Sequence, residues 1–364
     1  MGTPRRSAEL PAAARPRVAL VTAGIDAVSG GHRYHRQLMD AAPAAGFDMQ
    51  TVRPRPRLRL PKADVVVVDS LFAWALACAI LRSGAPTVAL VHQHPGGVDG
   101  AGPTRWLRRP LDLAVYRRCD LVIAPGQAVA DSLIGEHGFQ ATRIELVRPG
   151  CDLPAAPPTE PLRGARALGL LNVANWLPNK GILELLDAVA LLPAERATLH
   201  LVGRTDADLR YARHVRERIA RPDLADRVVV HGALPAAAVS SLYGAADLFV
   251  FPSRVEAYGS SVGEALAAGV PVVGWDTPHL RALVADGAEG LLVPAGDTRA
   301  LAPAIDRLAT DRAELDRLTS GAVRRGAQLP TWHATTDRFF AILHRLLAGP
   351  PGSRPPPATR RSHA

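Results

Sequence analysis

Short apolar runs recur along the chain, and amphipathic stretches separate them. Runs rich in valine, isoleucine and leucine are typical of strands that are buried on both faces. Eleven of them are present: RVALVT, DVVVVD, TVALVH, LVIAP, IELVRPG, LLNVAN, TLHLVG, RVVVHG, LFVFPS, VPVVGW and GLLVP. Because the stretches between them have helical periodicity, the pattern predicts an α/β architecture of parallel sheets covered by helices.

This alternation is interrupted at residues 149–167, where PGCDLPAAPPTEPLRGARA is rich in proline and alanine. We interpret this stretch as the linker between two doubly wound domains, residues 17–155 and 165–330. We expect residues 331–347 to form a C-terminal helix that returns to the first domain. The two ends of the chain, residues 1–16 and 348–364, are predicted to be disordered tails.

Composition narrows the class of protein. A chain of 364 residues with 48% apolar residues can form two to three domain cores. Cys78, Cys119 and Cys151 stand singly, which argues against a disulfide framework or a thiolate zinc site and favours a reducing compartment. The longest apolar run, Leu71 to Leu81, is too short to span a bilayer. We therefore expect a cytoplasmic protein, either soluble or attached peripherally to the inner face of the membrane.

The charge balance favours an anionic partner, since the net charge is +9 and the isoelectric point is near 10.2. A nucleotide, a phosphorylated metabolite, a lipid surface and a nucleic acid all fit this balance. The most basic stretch, RPRPRLRLPK from Arg53 to Lys62, is more typical of a solvated loop. It has no interleaved aromatic residues for base stacking, so no nucleic acid is predicted, whereas contact with anionic lipid stays an alternative.

In doubly wound sheets, ligands bind beyond the carboxyl ends of the strands. After the first strand, Gly30 and Gly31 precede a helical stretch, where backbone N–H groups can approach a diphosphate, although such a pair is more often only a tight turn. His92 ends the strand TVALVH, a position equally consistent with contact to a sugar and with a core histidine. His32 and His35 have the spacing of a metal pair, but a solvated helix face is the preferred interpretation.

The second half places further polar residues after its strands. Lys180 lies at a helix start, where its ammonium group can neutralise a leaving phosphate. Arg204 and Leu234 follow the next two strands, at positions where backbone groups can contact a nucleobase. The acidic pair Asp206 and Asp208 is interpreted as helix capping, and no metal ligands are predicted. Patterns such as HExxH, the P-loop and GxSxG are absent, which excludes the commonest hydrolase and NTPase signatures.

The stretch VEAYGSSVGEALAAGVPVV, residues 255–273, combines two carboxylates with a predicted helix start. Ser260 is expected to cap a helix that Gly269 ends, so Glu256 lies in the loop and Glu264 about one turn into the helix. A carboxylate accepts hydrogen bonds from a vicinal diol, and the free N–H groups at residues 259–262 face an anion. The arrangement suits a ligand with a ribose at one end, a sugar at the other and phosphates between them.

Several motifs together resemble the retaining GT-B glycosyltransferases of family 4. In the second half, NVANWLPNKG, LHLVG, VVVHGAL, LYGAADLFVFPSRVEAYGSSVGEALAAGVPVV and GAEGLLVPAGD follow the family's order and spacing. SGGHRYHRQL, VALVH and DLVIAPGQAVADSL agree more loosely in the first half, so the resemblance covers about residues 17–310. It implies two Rossmann-like domains with a nucleotide-sugar in the cleft between them. It also implies hexosyl transfer with retention of anomeric configuration, without a metal or another cofactor.

The resemblance implies a role for each matched position. Glu264 holds the ribose hydroxyls and Glu256 the transferred sugar. Lys180 stabilises the diphosphate leaving group, Gly31 approaches it from the first domain, and His92 contacts the sugar near the acceptor. The backbone groups assigned to the sugar and phosphates are those of Tyr258, Gly259, Ser260, Ser261 and Val262.

One position departs from the family's pattern. The family usually carries an arginine five residues before the lysine, and this chain has Asn175 there. We expect one cationic group to be missing unless Arg204 or Arg254 replaces it. A nucleotide-sugar epimerase or hydrolase on the same fold, and a non-catalytic protein that binds a membrane surface, remain alternatives. The donor base, the sugar and the acceptor are left open, and the acceptor is expected at the loops of residues 24–35, 92–110 and 126–132.

Overall fold

A computed structural model describes residues 15–22, 30–54, 62–71, 73, 84–97, 104–157 and 159–349, with backbone only at 104–107. Outside these residues lie most of both predicted tails, the centre of the arginine–proline segment (55–61) and parts of the expected acceptor loops (24–29 and 98–103). None of the helices in the described ranges is long and apolar enough to cross a bilayer.

The first domain is built on a sheet of six parallel strands. They are β1 (Arg17–Val21), β2 (Asp48–Val52), β3 (Val65–Asp69), β4 (Thr87–Leu90), β5 (Leu121–Ala124) and β6 (Ile144–Leu146). Their order across the sheet is β2-β1-β3-β4-β5-β6. The described helices between them are α1 (Gly30–Ala41), α2 (Thr104–Arg118) and α3 (Gln127–Gly135).

The second domain repeats this plan with six further parallel strands. They are β7 (Leu168–Val173), β8 (Ala197–Val202), β9 (Val228–Gly232), β10 (Leu248–Phe251), β11 (Val272–Trp275) and β12 (Gly290–Val293). Their order is β12-β11-β10-β7-β8-β9. The helices are α4 (Ile182–Ala190), α5 (Leu209–Ile219), α6 (Ala236–Ala245), α7 (Ser260–Ala267), α8 (Pro278–Arg281), α9 (Thr298–Thr310) and α10 (Arg312–Gly326).

The predicted fold class is confirmed, because the two doubly wound sheets are both present and each of the eleven apolar runs contains a strand. The sequence pattern missed β2, whose residues DMQTV are largely polar. β2 lies at the edge of the first sheet, and only Met49 of its side chains is fully buried. An edge strand needs little apolar surface, so it leaves little hydrophobic signal in the sequence.

The final helix, α11 (Trp332–Ala348), packs against the first domain although it follows the second in the chain. Its apolar face, including Phe339 and Phe340, joins one buried cluster with Val18 and Leu20 of β1. The Phe340 ring also stacks on Phe47, with 5.2 Å between the ring centroids. The chain therefore crosses between the domains twice, once in each direction.

Each sheet has one point where the strand order reverses. In the first sheet this point lies between β1 and β3, and in the second it lies between β7 and β10. Crevices beyond the carboxyl ends of the strands at such points are where doubly wound folds bind ligands. A ligand is therefore expected at the loops that follow β1, β3, β7 and β10.

Candidate active site

Glu256 lies in the loop after β10 and is held by two side chains. The Lys180 Nζ atom lies 2.5 Å from Glu256 Oε1, and the Ser253 hydroxyl donates to the same oxygen at 2.8 Å. The Lys180 and Glu256 side chains are only 18% and 14% exposed. Burial acts to raise the pKa of Glu256, but Lys180 and Ser253 outweigh it, so this pKa lies below its usual value. Glu256 is therefore ionised at neutral pH.

The loop after β7 carries Lys180 and packs closely on the loop after β10. Gly181 has a φ of +68°, and a Cβ atom there would lie 2.0 Å from the carbonyl oxygen of Pro252. The Arg254 N–H donates to the Asn179 carbonyl at 2.8 Å. Because β7 and β10 are neighbours in the sheet, their loops meet, which brings Lys180 to Glu256 across 76 positions of sequence.

Helix α7 begins directly after this loop. The expected cap by the Ser260 side chain is wrong: the residue before the first turn is Gly259, with a φ of +90° and no side-chain cap. A left-handed backbone at Gly259 turns the chain sharply into the helix, which a residue with a Cβ atom does at a cost. The other end agrees with the prediction, since Gly269 follows the helix with a φ of +76°.

Glu264 lies one turn into α7 and is largely buried. Its carboxylate forms an ion pair with Arg33 and accepts a hydrogen bond from the Tyr243 hydroxyl at 3.3 Å. Burial raises the pKa of Glu264, although Arg33 and Tyr243 favour its charged form. The carboxylate therefore depends on neighbouring donors for its charge.

Arg33 was not singled out by sequence reasoning. It lies in the first turn of α1, and besides Glu264 it contacts the Asp152 carbonyl at 3.1 Å and the Trp332 ring at 5.3 Å. These partners come from distant parts of the chain. The available signal was a cation two residues after Gly31, but nothing local indicates its partner.

The carboxyl ends of the two sheets face each other across the cleft. A Cβ atom at Gly30 would lie 3.6 Å from Ser260 Oγ, at the start of α7. His94, in the loop after β4, lies 3.2 Å from the Glu256 carbonyl. Gly31 lies against the His92 ring, with 3.5 Å from a Cβ position to His92 Cδ2. The structure thus brings the glycine pair and His92 to the cleft opposite α7.

His92 follows β4 and is partly exposed. Its Nε2 lies 2.8 Å from the Nε2 of His35, and its backbone N–H donates to Ser70 Oγ at 2.8 Å. His35 is completely buried, so the expectation of a solvated helix face is wrong for this residue. Burial, then the neighbouring His32, lowers the pKa of His35 to about 4, and burial also lowers that of His92. Both rings are neutral at pH 7.

The arginines expected to replace the missing cation are paired elsewhere. The Arg204 guanidinium contacts Asp206 at 3.0 Å, and that of Arg254 contacts Glu184 at 2.5 Å. Asn175 turns its Oδ1 atom to the Arg204 backbone N–H at 3.0 Å. At this position the asparagine therefore holds together the loops after β7 and β8.

The remaining residues that the sequence assigned to the ligand make packing contacts or hydrogen bonds within the protein. Leu234 packs on the apolar cluster beneath α7, and Val262 lies within that cluster. The Tyr258 hydroxyl lies 3.6 Å from Cys151 Sγ, and the Ser261 carbonyl accepts from the Tyr243 hydroxyl at 2.9 Å. The Val262 N–H donates to the Gly259 carbonyl at 3.0 Å, so the expectation of a free N–H group is wrong at this position.

The expected capping by the acidic pair is confirmed for Asp208. It is the N-cap of α5, and its carboxylate accepts from the Tyr211 N–H at 3.0 Å. Asp206 is exposed and pairs with Arg204 instead.

Two family models match the chain: Glycosyltransferase Family 4 over residues 6–154 and Glycosyl transferases group 1 over residues 167–311. A D-inositol 3-phosphate glycosyltransferase of Catenulispora acidiphila is 28% identical over an alignment 308 residues long, which covers 79% of this chain and 73% of that protein. A mannosylfructose-phosphate synthase of Agrobacterium fabrum is 28% identical, over 64% of this chain and 54% of that protein. The chain thus spans 54% to 73% of the length of these two relatives.

A solved structure, sucrose-phosphate synthase from Thermosynechococcus elongatus, has the same fold. It aligns with a TM-score of 0.80 at 22% identity and covers 92% of this chain and 100% of that one. The two family models match one domain each, and the relatives are named as glycosyltransferases or sugar-phosphate synthases. The chain is therefore a glycosyltransferase with the GT-B fold.

Proposed function

We propose that this protein transfers a sugar from a nucleoside-diphosphate sugar to an acceptor hydroxyl, with retention of anomeric configuration and without a metal. One observation carries the proposal: Glu256 and Glu264 flank the N-terminus of α7, and Lys180 lies beside the first of them. A carboxylate that can accept from hydroxyl groups therefore lies at each end, and the N–H donors at the start of α7 lie between the two. It matches a ligand that has two sugars joined by a diphosphate.

The N-terminus of α7 is suited to the diphosphate. The first N–H groups of a helix have no partner within it, and the helix dipole favours an anion there. The left-handed backbone of Gly259 turns the chain directly into the first helical turn, where a phosphate can meet these N–H groups. Glu264, one turn further on, then reaches the ribose hydroxyls.

The ion pair of Lys180 with Glu256 serves the reacting end of the donor. The ionised Glu256 fixes the lysine and accepts from sugar hydroxyls, while the ammonium group offsets the charge that develops on the leaving diphosphate. His92, a neutral ring on the facing domain, contacts the sugar. Arg33, which already lies at Glu264, is in our proposal the second cation of the cleft, in place of Arg204 or Arg254.

The donor class is supported by a solved structure of similar fold. HepE of Anabaena, in complex with UDP and glucose, aligns with a TM-score of 0.75 at 19% identity, over 91% of this chain and 100% of that one. A thermal-shift screen with UDP-, GDP- and ADP-sugars identifies the donor, because a ligand that binds only the folded state raises its stability.

Calorimetry with that donor then tests the site. Glu264→Ala is expected to raise the dissociation constant at least about 10-fold, since the ribose hydroxyls lose a charged acceptor. The control is Glu217→Ala, on the exposed face of α5. Unchanged donor affinity in Glu264→Ala contradicts the proposal.

Product analysis tests the reaction. Turnover is expected to persist in a chelator and to give a product with the anomeric configuration of the donor, as judged by proton NMR. An inverted product or loss of turnover in chelator contradicts these two parts of the proposal. Rapid conversion of the donor without an acceptor would instead identify an epimerase or a hydrolase.

A further inference from the structure

Three potential metal ligands meet at the point where the strand order of the first sheet reverses. They are His35 of α1, Asp69 at the end of β3 and His92 after β4, and their ligand atoms all lie within 4.8 Å of one another. His35 Nε2 lies 2.8 Å from His92 Nε2 and 3.8 Å from Asp69 Oδ2. His35 and Asp69 are fully buried, and His92 is partly exposed.

The distances are close to those of a tetrahedral metal site. Zinc binds imidazole nitrogen and carboxylate oxygen at about 2.0–2.2 Å, which places neighbouring ligand atoms about 3.3–3.5 Å apart. The observed separations, 2.8 Å and 3.8 Å, bracket this range. The third separation, from His92 to Asp69, is at most 4.8 Å. To reach the tetrahedral spacing the two imidazoles would move apart by about 0.5 Å, and Asp69 would move closer to both of them.

Neighbouring groups already orient these ligands. The Thr22 hydroxyl donates to Asp69 Oδ2 at 2.9 Å and lies 3.5 Å from His35 Nδ1. The Leu71 N–H donates to Asp69 Oδ1 at 2.9 Å. Metal-binding histidines commonly use their second nitrogen in such contacts, which fix the ring and its tautomer. The Thr22 contact therefore suits a His35 ring that carries its proton on Nδ1 and offers Nε2 to an ion. His92 would offer its Nε2 in the same tautomer.

Burial of Asp69 also favours a cation at this position. Its side chain is fully buried and accepts hydrogen bonds from the Thr22 hydroxyl and the Leu71 N–H. A buried carboxylate is costly unless it is paired or coordinates a metal. An ion between these three residues would pair with it directly.

We propose that His35, Asp69 and His92 form a binding site for a first-row divalent transition-metal ion, with Zn²⁺ as the probe. Two imidazoles and one carboxylate suit such ions better than Mg²⁺, which prefers oxygen ligands and water. The partial exposure of His92 gives an ion and a water ligand access to the site. Bound metal inhibits transfer because it occupies Nε2 of His92, and this consequence alone rests on the proposed function.

Direct metal binding tests the site independently of activity. The full chain, freed of metal by a chelator and desalted, is titrated with Zn²⁺ against a chromophoric indicator. We expect one equivalent in the wild type, with affinity reduced at least about 10-fold in Asp69→Asn and in His35→Gln. The control is His214→Gln on α5, an exposed histidine, for which affinity stays unchanged.

A second measurement keeps the test decisive if the variants fail to fold. X-ray absorption of the wild-type zinc complex is expected to show two imidazole ligands and oxygen donors. Absence of stoichiometric binding to the folded wild type, unchanged affinity in folded Asp69→Asn and His35→Gln, or a ligand set without two imidazoles each overturns the proposal. If Zn²⁺ binds as expected but turnover persists, the site stands and only the inhibition is wrong.

Discussion

Lys180→Met removes the cation beside Glu256 and leaves the carboxylate with the Ser253 hydroxyl as its neighbouring donor. Breaking a buried ion pair by deleting one partner costs about 3–5 kcal/mol. The two side chains here are 18% and 14% exposed, and Ser253 still donates at 2.8 Å. We therefore expect the free energy of unfolding to fall by about 2–3 kcal/mol. Under the proposed mechanism kcat falls about 10²- to 10³-fold, because a charge on the leaving group loses its counterion.

A double-mutant cycle separates the pair from other effects of the substitution. Urea unfolding of Lys180→Met, Glu256→Gln and the double variant is expected to give a coupling energy of about 1–3 kcal/mol. The matched control is Arg254→Met, which breaks the pair with Glu184 where the arginine is 52% exposed; it is expected to cost about 0–1 kcal/mol. Coupling near zero, or an equal loss in the Arg254 variant, would refute the reasoning.

Three further predictions test other parts of the structure. Gly181→Ala is expected to destabilise the protein by more than about 2 kcal/mol in thermal unfolding, because its left-handed backbone and a 2.0 Å approach to a carbonyl exclude a Cβ atom. Gly287→Ala, with a φ of +72° and open space around it, should cost only about 1 kcal/mol, and equal losses would contradict the steric argument. Burial lowers the pKa of His279 to about 4, below an ordinary value of 6.5, so the unfolded chain binds more protons between these values. Stability is lost as pH falls through this window, by up to about 2 kcal/mol between pH 7 and pH 5 for this one group. His279→Gln should flatten the dependence measured in urea, and an unchanged slope would disprove the assignment. Arg33→Met is expected to lower the free energy of unfolding by about 1–2 kcal/mol at pH 7, because Glu264 loses its cation; no change in urea unfolding would show that the contact contributes little.

Local sequence patterns predicted the elements whose formation depends on the polarity of consecutive residues. A strand buried on both faces needs a continuous apolar run. Of the twelve strands in the described ranges, eleven were therefore visible in the sequence, and the polar edge strand β2 was not. The same logic located Glu256 in a loop and Glu264 inside a helix. It failed at the cap of α7, where the backbone of Gly259 rather than the Ser260 side chain makes the turn.

The sequence alone therefore determined the α/β class, the positions of the strand ends and the polar residues that follow them. Tertiary structure decided which of those residues meet. Arg33 reaches Glu264 across 231 positions, and Lys180 reaches Glu256 across 76. His35 is buried beside His92 because α1 packs on the carboxyl ends of β1 and β3. Such pairings follow from strand order and from the approach of two domains, and neither is encoded in the periodicity of any single segment.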